Sequence, residues 1–173
     1  MKVLTFSRHF PKGHPKAGQP TWFVEKVWNL FREHYALPDT FKKWVDNYVP
    51  LLTGDQYLKA MAVREIKHHT IRAGSRWKAG DMASLRVWSD KPYRSKQIEF
   101  AQVEVKRVWS IEISEFWFID NNIMEHQQVK ELAKNDGLEY ADFVSWFKVH
   151  PKKKGDVFKG QVICWNDKVN YTP

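Results

Sequence analysis

Lys67-His68-His69-Thr70-Ile71-Arg72, then Gly74-Ser75-Arg76-Trp77-Lys78-Ala79-Gly80-Asp81, then Met82-Ala83-Ser84-Leu85-Arg86-Val87-Trp88-Ser89, is where the chain changes from helix to strand. From Ile66 onward the pattern turns from helical to β. Met82 to Ser89 reads as a strand entered through the Ala79-Gly80-Asp81 turn. Alternation along a strand puts Lys67 and His69 on one face and His68, Thr70 and Arg72 on the other. A bend there would bring Lys67 and Thr70 together.

Downstream, Gln97 to Val105 is a further strand. Ile98 and Phe100 alternate, and Val103 and Val105 resume one step out of phase, which predicts a β-bulge near Ala101. Trp109, Ile111 and Ile113 alternate on the next strand, and Phe116 and Phe118 extend it or start another. Asn121 to Asn135 is weakly helical around Val129 and Leu132. Asp136-Gly137 interrupts it, and Glu139 to Phe147 is a firmer helix. A basic turn at 151–155 precedes a last strand, Val157 to Trp165, and the tail after Asn166 is expected to be loose.

Upstream, Lys2 to Ser7 reads as a strand and Pro11 to Pro20 as a loop. Thr21 caps a helix to about Tyr35, with Phe23, Val24, Val27, Leu30 and Phe31 at helical spacing. Leu37-Pro38-Asp39 breaks it. A second helix with Phe41, Trp44, Val45 and Tyr48 on one face ends at Pro50. Residues 51–66 read as loop with about one helical turn. The order of strand, two helices, several strands, two helices and strand is α+β, one domain over 1–173 whose short strands suit a small barrel.

Composition fits that size. The 173 residues are 43% hydrophobic and 15% aromatic, unlike a disordered chain. A single cysteine, Cys164, excludes an internal disulfide and a multi-cysteine zinc site; between Ile163 and Trp165 it reads as a core residue. The start shows no secretory pattern, and no stretch approaches the roughly 20 apolar residues of a membrane span, so a cytoplasmic protein with no membrane partner is expected. With 28 basic and 20 acidic residues the net charge is +8, which favours a polyanionic partner.

The densest polar cluster is Lys67 to Arg72. A partly buried lysine is a candidate base for a threonine hydroxyl, and an arginine forks onto phosphate or carbonyl oxygens. A solvated basic strand end is the competing reading. Adjacent His68 and His69 point to opposite faces and lack further ligands, so no metal is expected. Trp77 between Arg76 and Lys78 has the composition of a base-stacking platform, against ordinary core packing. Arg94, in the Lys91-Pro92-Tyr93-Arg94-Ser95-Lys96 loop, has a similar basic-aromatic setting. Lys152-Lys153-Lys154 adds to the positive field. Asp136 reads either as a helix cap or as an acid facing a cleft.

Lys67-x-x-Thr70-Ile71-Arg72, the basic loop, Lys78-x-Gly80-Asp81 and Ser84-Leu85-Arg86-Val87 together resemble the signature of the ASCH family. Leu132-Ala133-Lys134-Asn135-Asp136-Gly137 with Asp142-Phe143 resembles that family's later helical element. The resemblance spans about 1–8 and 66–165 and leaves 9–65 as a helical insertion. It implies a PUA-like β-barrel with a nucleotide- or RNA-binding cleft around Lys67–Arg72 and no cofactor. In the family's acetylcytidine amidohydrolase branch, Lys67 would be the base, Thr70 the nucleophile and Asp136 the acid, where those enzymes carry glutamate. Ribonuclease activity is a third possibility the family raises. The expected ligand contacts are Arg72, Arg76, Trp77, Lys78 and Arg94. Two geometric expectations follow: Lys67, Thr70, Arg72 and Asp136 line one pocket, and Trp77 is at least partly exposed.

Overall fold

The computed structural model describes residues 1–34, 38–149 and 157–172. The expected helix end near Tyr35, the break at Leu37 and the basic turn at 151–155 lie outside the described residues. The protein is α+β, with two sheets.

The first sheet orders β1 (Lys2–Phe6), β3 (Met82–Trp88) and β4 (Gln97–Glu104), with β1 and β3 parallel, Lys2 opposite Ala83 and Phe6 opposite Val87. Between β3 and β4 the register slips: Leu85 faces Ala101 while Arg86 faces Glu99. Phe100 is thus the extra residue of a bulge, and the slip lets Ile98, Phe100, Val103 and Val105 serve one structure despite their broken alternation. The second sheet orders β2 (His69–Ala73), β8 (Phe158–Cys164), β5 (Arg107–Ile113), β6 (Trp117–Ile119) and β7 (Asn122–Ile123). Asp120 and Asn121, both at positive φ (45° and 64°), form the two-residue turn between β6 and β7 that matches the twist of a hairpin. At Gly160 a Cβ would lie 2.3 Å from the Arg72 backbone oxygen, so only glycine lets β8 approach β2 there. Among the described residues no ladder joins the two sheets.

The segment 9–65 packs into the same core rather than beside it. Phe6 of β1 meets Phe23, Phe100 and Trp165 edge-on at 6.4, 5.8 and 6.1 Å. Phe23 begins α1 (Phe23–His34), whose Val24, Val27 and Leu30 are buried, as the helical spacing predicts. The second helix differs from expectation. It starts as α2 (Pro38–Lys43), widens into a π-helical turn (Trp44–Tyr48) and tightens into a 3₁₀ turn (Val49–Leu51). Of the four residues expected on one face, Trp44 and Tyr48 are buried while Phe41 and Val45 stay 53% and 37% exposed. Residues 54–62, read as loop, form α3 (Gly54–Ala62), with Gln56 accepting the Thr53 N–H at 3.2 Å. Only Ala60 of α3 is buried, which is why no apolar stripe announced the helix.

After β7 come α4 (His126–Asn135) and α5 (Tyr140–Val149). The tail is not loose as expected. Tyr171 packs edge-on against Trp109 and hydrogen-bonds His69 and Asn135.

Candidate functional site

The site is built where α4 ends against the entry to β2. Gly137 adopts φ +78°, and its N–H donates to Lys134 O (2.9 Å) while Leu138 N–H donates to Ala133 O (3.0 Å), a Schellman turn. The next three carbonyls are then capped one by one. Asn135 O accepts from His68 N–H at 2.8 Å, Asp136 O from the Lys67 ammonium, and Gly137 O from the Lys26 ammonium at 2.7 Å. Two lysines therefore sit on the negative end of the helix dipole. A Cβ on Gly137 would lie 3.1 Å from Lys26 Cδ and 3.3 Å from Lys67 Cβ, so the glycine also makes room for both side chains.

The Asp136 carboxylate turns inward. Its Oδ1 lies 2.9 Å from Lys67 Nζ and 3.4 Å from His69 Nδ1, within ion-pair range, although neither contact has hydrogen-bond geometry. His69 Nε2 is 2.7 Å from Tyr171 Oη, which accepts from Asn135 Nδ2 at 2.9 Å. The Asp136 carboxylate beside Nδ1 favours the tautomer that carries its proton there, and Nε2 then accepts from the Tyr171 hydroxyl. Burial also lowers the His69 pKa and keeps the ring neutral. Burial pushes Lys67 down to about 8, with Asp136 opposing. For Asp136 itself burial acts upward, but the Lys67 charge and the His69 contact outweigh it and leave the carboxyl below its usual range. The pair is ionised at neutral pH.

Thr70 Oγ1 accepts from Arg72 Nη1 at 2.7 Å, and Arg72 also donates to Ile71 O and Thr5 O, both at 2.8 Å. The Lys67 ammonium lies 4.1 Å from the Phe23 ring centre and 5.9 Å from that of Phe6, and the Arg72 guanidinium is 5.4 Å from Phe6. Lys67 and Arg72 thus meet at Phe6, Asp136 pairs with Lys67, and Thr70 accepts from Arg72. They do so inside the protein: Lys67, Thr70 and Asp136 are 1%, 2% and 6% exposed.

A cleft of about 520 Å³ opens on the other side of the same helix end, and none of those four residues lines it. Its walls include Trp22, Lys26, Arg64, His68, Lys134 and Asn135. Lys26 is nearly buried, with a pKa lowered by burial and held up in part by Glu65, Asp136 and Glu139. Lys16, at the rim, pairs with Asp142 at 2.6 Å. Trp22 has φ +56°, a left-handed conformation that is strained for a bulky side chain. Sequence reasoning missed both Trp22 and Lys26. A tryptophan between the Thr21 cap and an apolar run looks like one more core aromatic, and nothing local signals its backbone.

The other expected ligand contacts are dispersed. Trp77 is 3% exposed, which overturns its expected exposure and removes the stacking role. Its backbone is clamped by Gln161, whose Oε1 accepts at 2.9 Å and whose Nε2 donates at 3.1 Å, and its ring fills the core. Arg76 and Lys78 are exposed, and Arg76 donates to Val3 O at 3.3 Å, near the start of β1. Arg94 is exposed in the loop beyond the far end of β3. The seven residues of β3 separate the two groups by about 20 Å at roughly 3.3 Å per residue, and neither group lines the cleft.

Among the described residues no group of three or more His, Cys, Asp or Glu side chains is placed to hold a metal ion. Cys164 is buried, and burial raises its thiol pKa to about 11, which makes it inert. No described helix is long and apolar enough to cross a membrane. Comparisons of the chain with protein-family models, curated proteins and solved structures find no match.

Proposed function

We propose that this chain is a nucleotide- or RNA-binding domain of the ASCH, PUA-like type, and that its ligand enters the cleft beside the end of α4. One observation carries the reading. Trp22 and Lys26, one helical turn apart, share the wall of a cleft that also presents Arg64 and Lys134. A partly exposed indole offers a π-face to a base, and the cations offer partners to phosphate. The strain at Trp22 supports the same reading, since such backbone is kept where a side chain must be aimed. The net charge of +8 favours approach of a polyanion.

In this reading the Lys67-x-x-Thr70-x-Arg72 element is the floor of the cleft, not its lining. Lys67 fixes the end of α4, Asp136 neutralises it, and Arg72 ties β2 to β1 through Thr5 O. The two sheets meeting at Phe6 would be the two halves of the PUA-like barrel. Titration with ribonucleoside monophosphates and with a short single-stranded RNA, each at low and high salt, tests the proposal. Binding of either that weakens as salt rises supports it, and no binding of either refutes it.

A second reading, the amidohydrolase, is favoured by one feature. Lys67 has a pKa of about 8 beside a carboxylate, and the Arg72 donor to Thr70 leaves the threonine's own proton available to a base. It requires the interior cluster to open to substrate, and the aspartate to do the work of a longer glutamate. Release of cytidine from acetylated cytidine, lost in Thr70→Ala, would establish it.

A further inference from the structure

Two lysines flank Gly137, and they differ in one respect. Lys67 is 1% exposed and sealed between Phe6, Phe23 and Asp136. Lys26 is 8% exposed, yet it lines the cleft. We propose that Lys26 is a reactive amine, and that the cleft captures an aldehyde-bearing small molecule by forming an imine at Lys26 Nζ.

The Lys26 backbone is fixed by its N–H donating to Trp22 O at 3.0 Å and its carbonyl accepting the Lys67 N–H at 3.0 Å. Its side chain is held against Gly137, 3.1 Å from where a Cβ would stand. Among the described residues the amine has a single hydrogen-bond acceptor, Gly137 O, so its remaining hydrogens and, once deprotonated, its lone pair are available to the cleft. Trp22 offers an apolar wall, and Arg64 and Lys134 offer positive charge to a phosphate or carboxylate on the incoming molecule.

The groups facing the amine come from every neighbouring element: Glu25 on α1, Glu65 before β2, Lys67 at the entry to β2, Asp136 ending α4 and Glu139 before α5. The carboxylates hold the ammonium form, and burial, the largest effect, works against it and lowers the pKa. Desolvation beside a second cationic group is a recognised way to make a lysine nucleophilic.

The chemistry closes without a further reagent. The neutral amine adds to the aldehyde carbon, forming a C–N bond. As the C=O π pair moves onto oxygen, the nitrogen releases a proton to solvent through the open cleft and the alkoxide takes one up, giving the carbinolamine. Its hydroxyl then takes a further proton and leaves as water, and the iminium nitrogen returns its remaining proton to solvent, giving the imine. The inference is independent of the nucleotide reading, because an aldehyde can bind where no nucleotide does.

Pyridoxal phosphate is a suitable probe, with an aldehyde, an aromatic ring and a phosphate. Intact protein would be incubated with about one equivalent, reduced with borohydride and mapped by peptide mass. Lys26 is expected to take the label ahead of exposed Lys12, Lys59 and Lys78 and to be the main site of modification. Labelling should start at lower pH at Lys26 than at those residues, and Lys26→Arg, which keeps the charge and the donor to Gly137 O, should abolish it. Label spread over the exposed lysines, label at Lys67, or no reduced adduct would overturn the proposal. Each of these is read on the wild type, so a folding defect in the variant cannot obscure the answer.

Discussion

Lys67 and Asp136 meet in the interior, with Lys67 Nζ 2.9 Å from Asp136 Oδ1, and the same ammonium also donates to the Asp136 backbone carbonyl. One lysine therefore binds both the charge and the chain end of α4, joining β2 to a helix about seventy residues away in sequence. Removing one partner strands the other.

Asp136→Asn is expected to destabilise the protein by about 3–5 kcal/mol at pH 7, the usual result of leaving a buried charge unpaired. The Asp136 pKa is lower folded than unfolded, so its contribution is complete above its ordinary value of 3.8 and is lost as pH falls through the folded value. Urea unfolding across pH 2–7 should therefore show a shallower acid decline in the variant. A variant as stable as wild type would contradict the buried pair.

Glu25 gives the opposite sign. Its Oε1 accepts from Tyr48 Oη at 2.6 Å, its Oε2 is buried with no hydrogen-bond partner among the described residues, and burial raises its pKa. The folded state then holds a proton the unfolded state has released, and stability falls as pH rises from 4.5 through the raised value. Glu25→Gln should flatten that fall. The stability gap between the two proteins should shift in favour of the variant as pH rises above 4.5. Parallel curves would show that Glu25 is ionised without penalty.

Gly137→Ala should cost about 1–2 kcal/mol from its left-handed backbone. It should cost more once the new methyl pushes on Lys26 Cδ and Lys67 Cβ at 3.1 and 3.3 Å. Thermal unfolding reads the loss, and an unchanged midpoint would mean that the turn relaxes freely.

Much of the fold was legible because it is written in local patterns. The bulge at Phe100 followed from two alternations out of phase, and α1 followed from five apolar residues at helical spacing. What failed was set by distant contacts. α3 has almost no buried face, Phe41 and Val45 stay exposed, and Tyr171 tied down a polar tail through His69 and Asn135. In the site, Lys67 and Arg72 meet at Phe6, but no short pattern distinguishes a residue lining a cleft from one beneath it. Trp77 looked like a platform by its basic neighbours and is core, whereas Trp22 had apolar neighbours and lines the cleft.

Trp22 separates function from folding, since glycine suits φ +56° better than tryptophan does. The most direct measurement is calorimetric titration of the best-binding ribonucleoside monophosphate into wild type, Trp22→Gly and Thr70→Ala. Trp22→Gly should weaken binding at least about tenfold, within the roughly 1–3 kcal/mol of a base stack, without lowering the unfolding midpoint, and Thr70→Ala should bind like wild type. Binding lost in Thr70→Ala and kept in Trp22→Gly would contradict binding in the cleft, and would place the ligand in the Lys67 cluster instead.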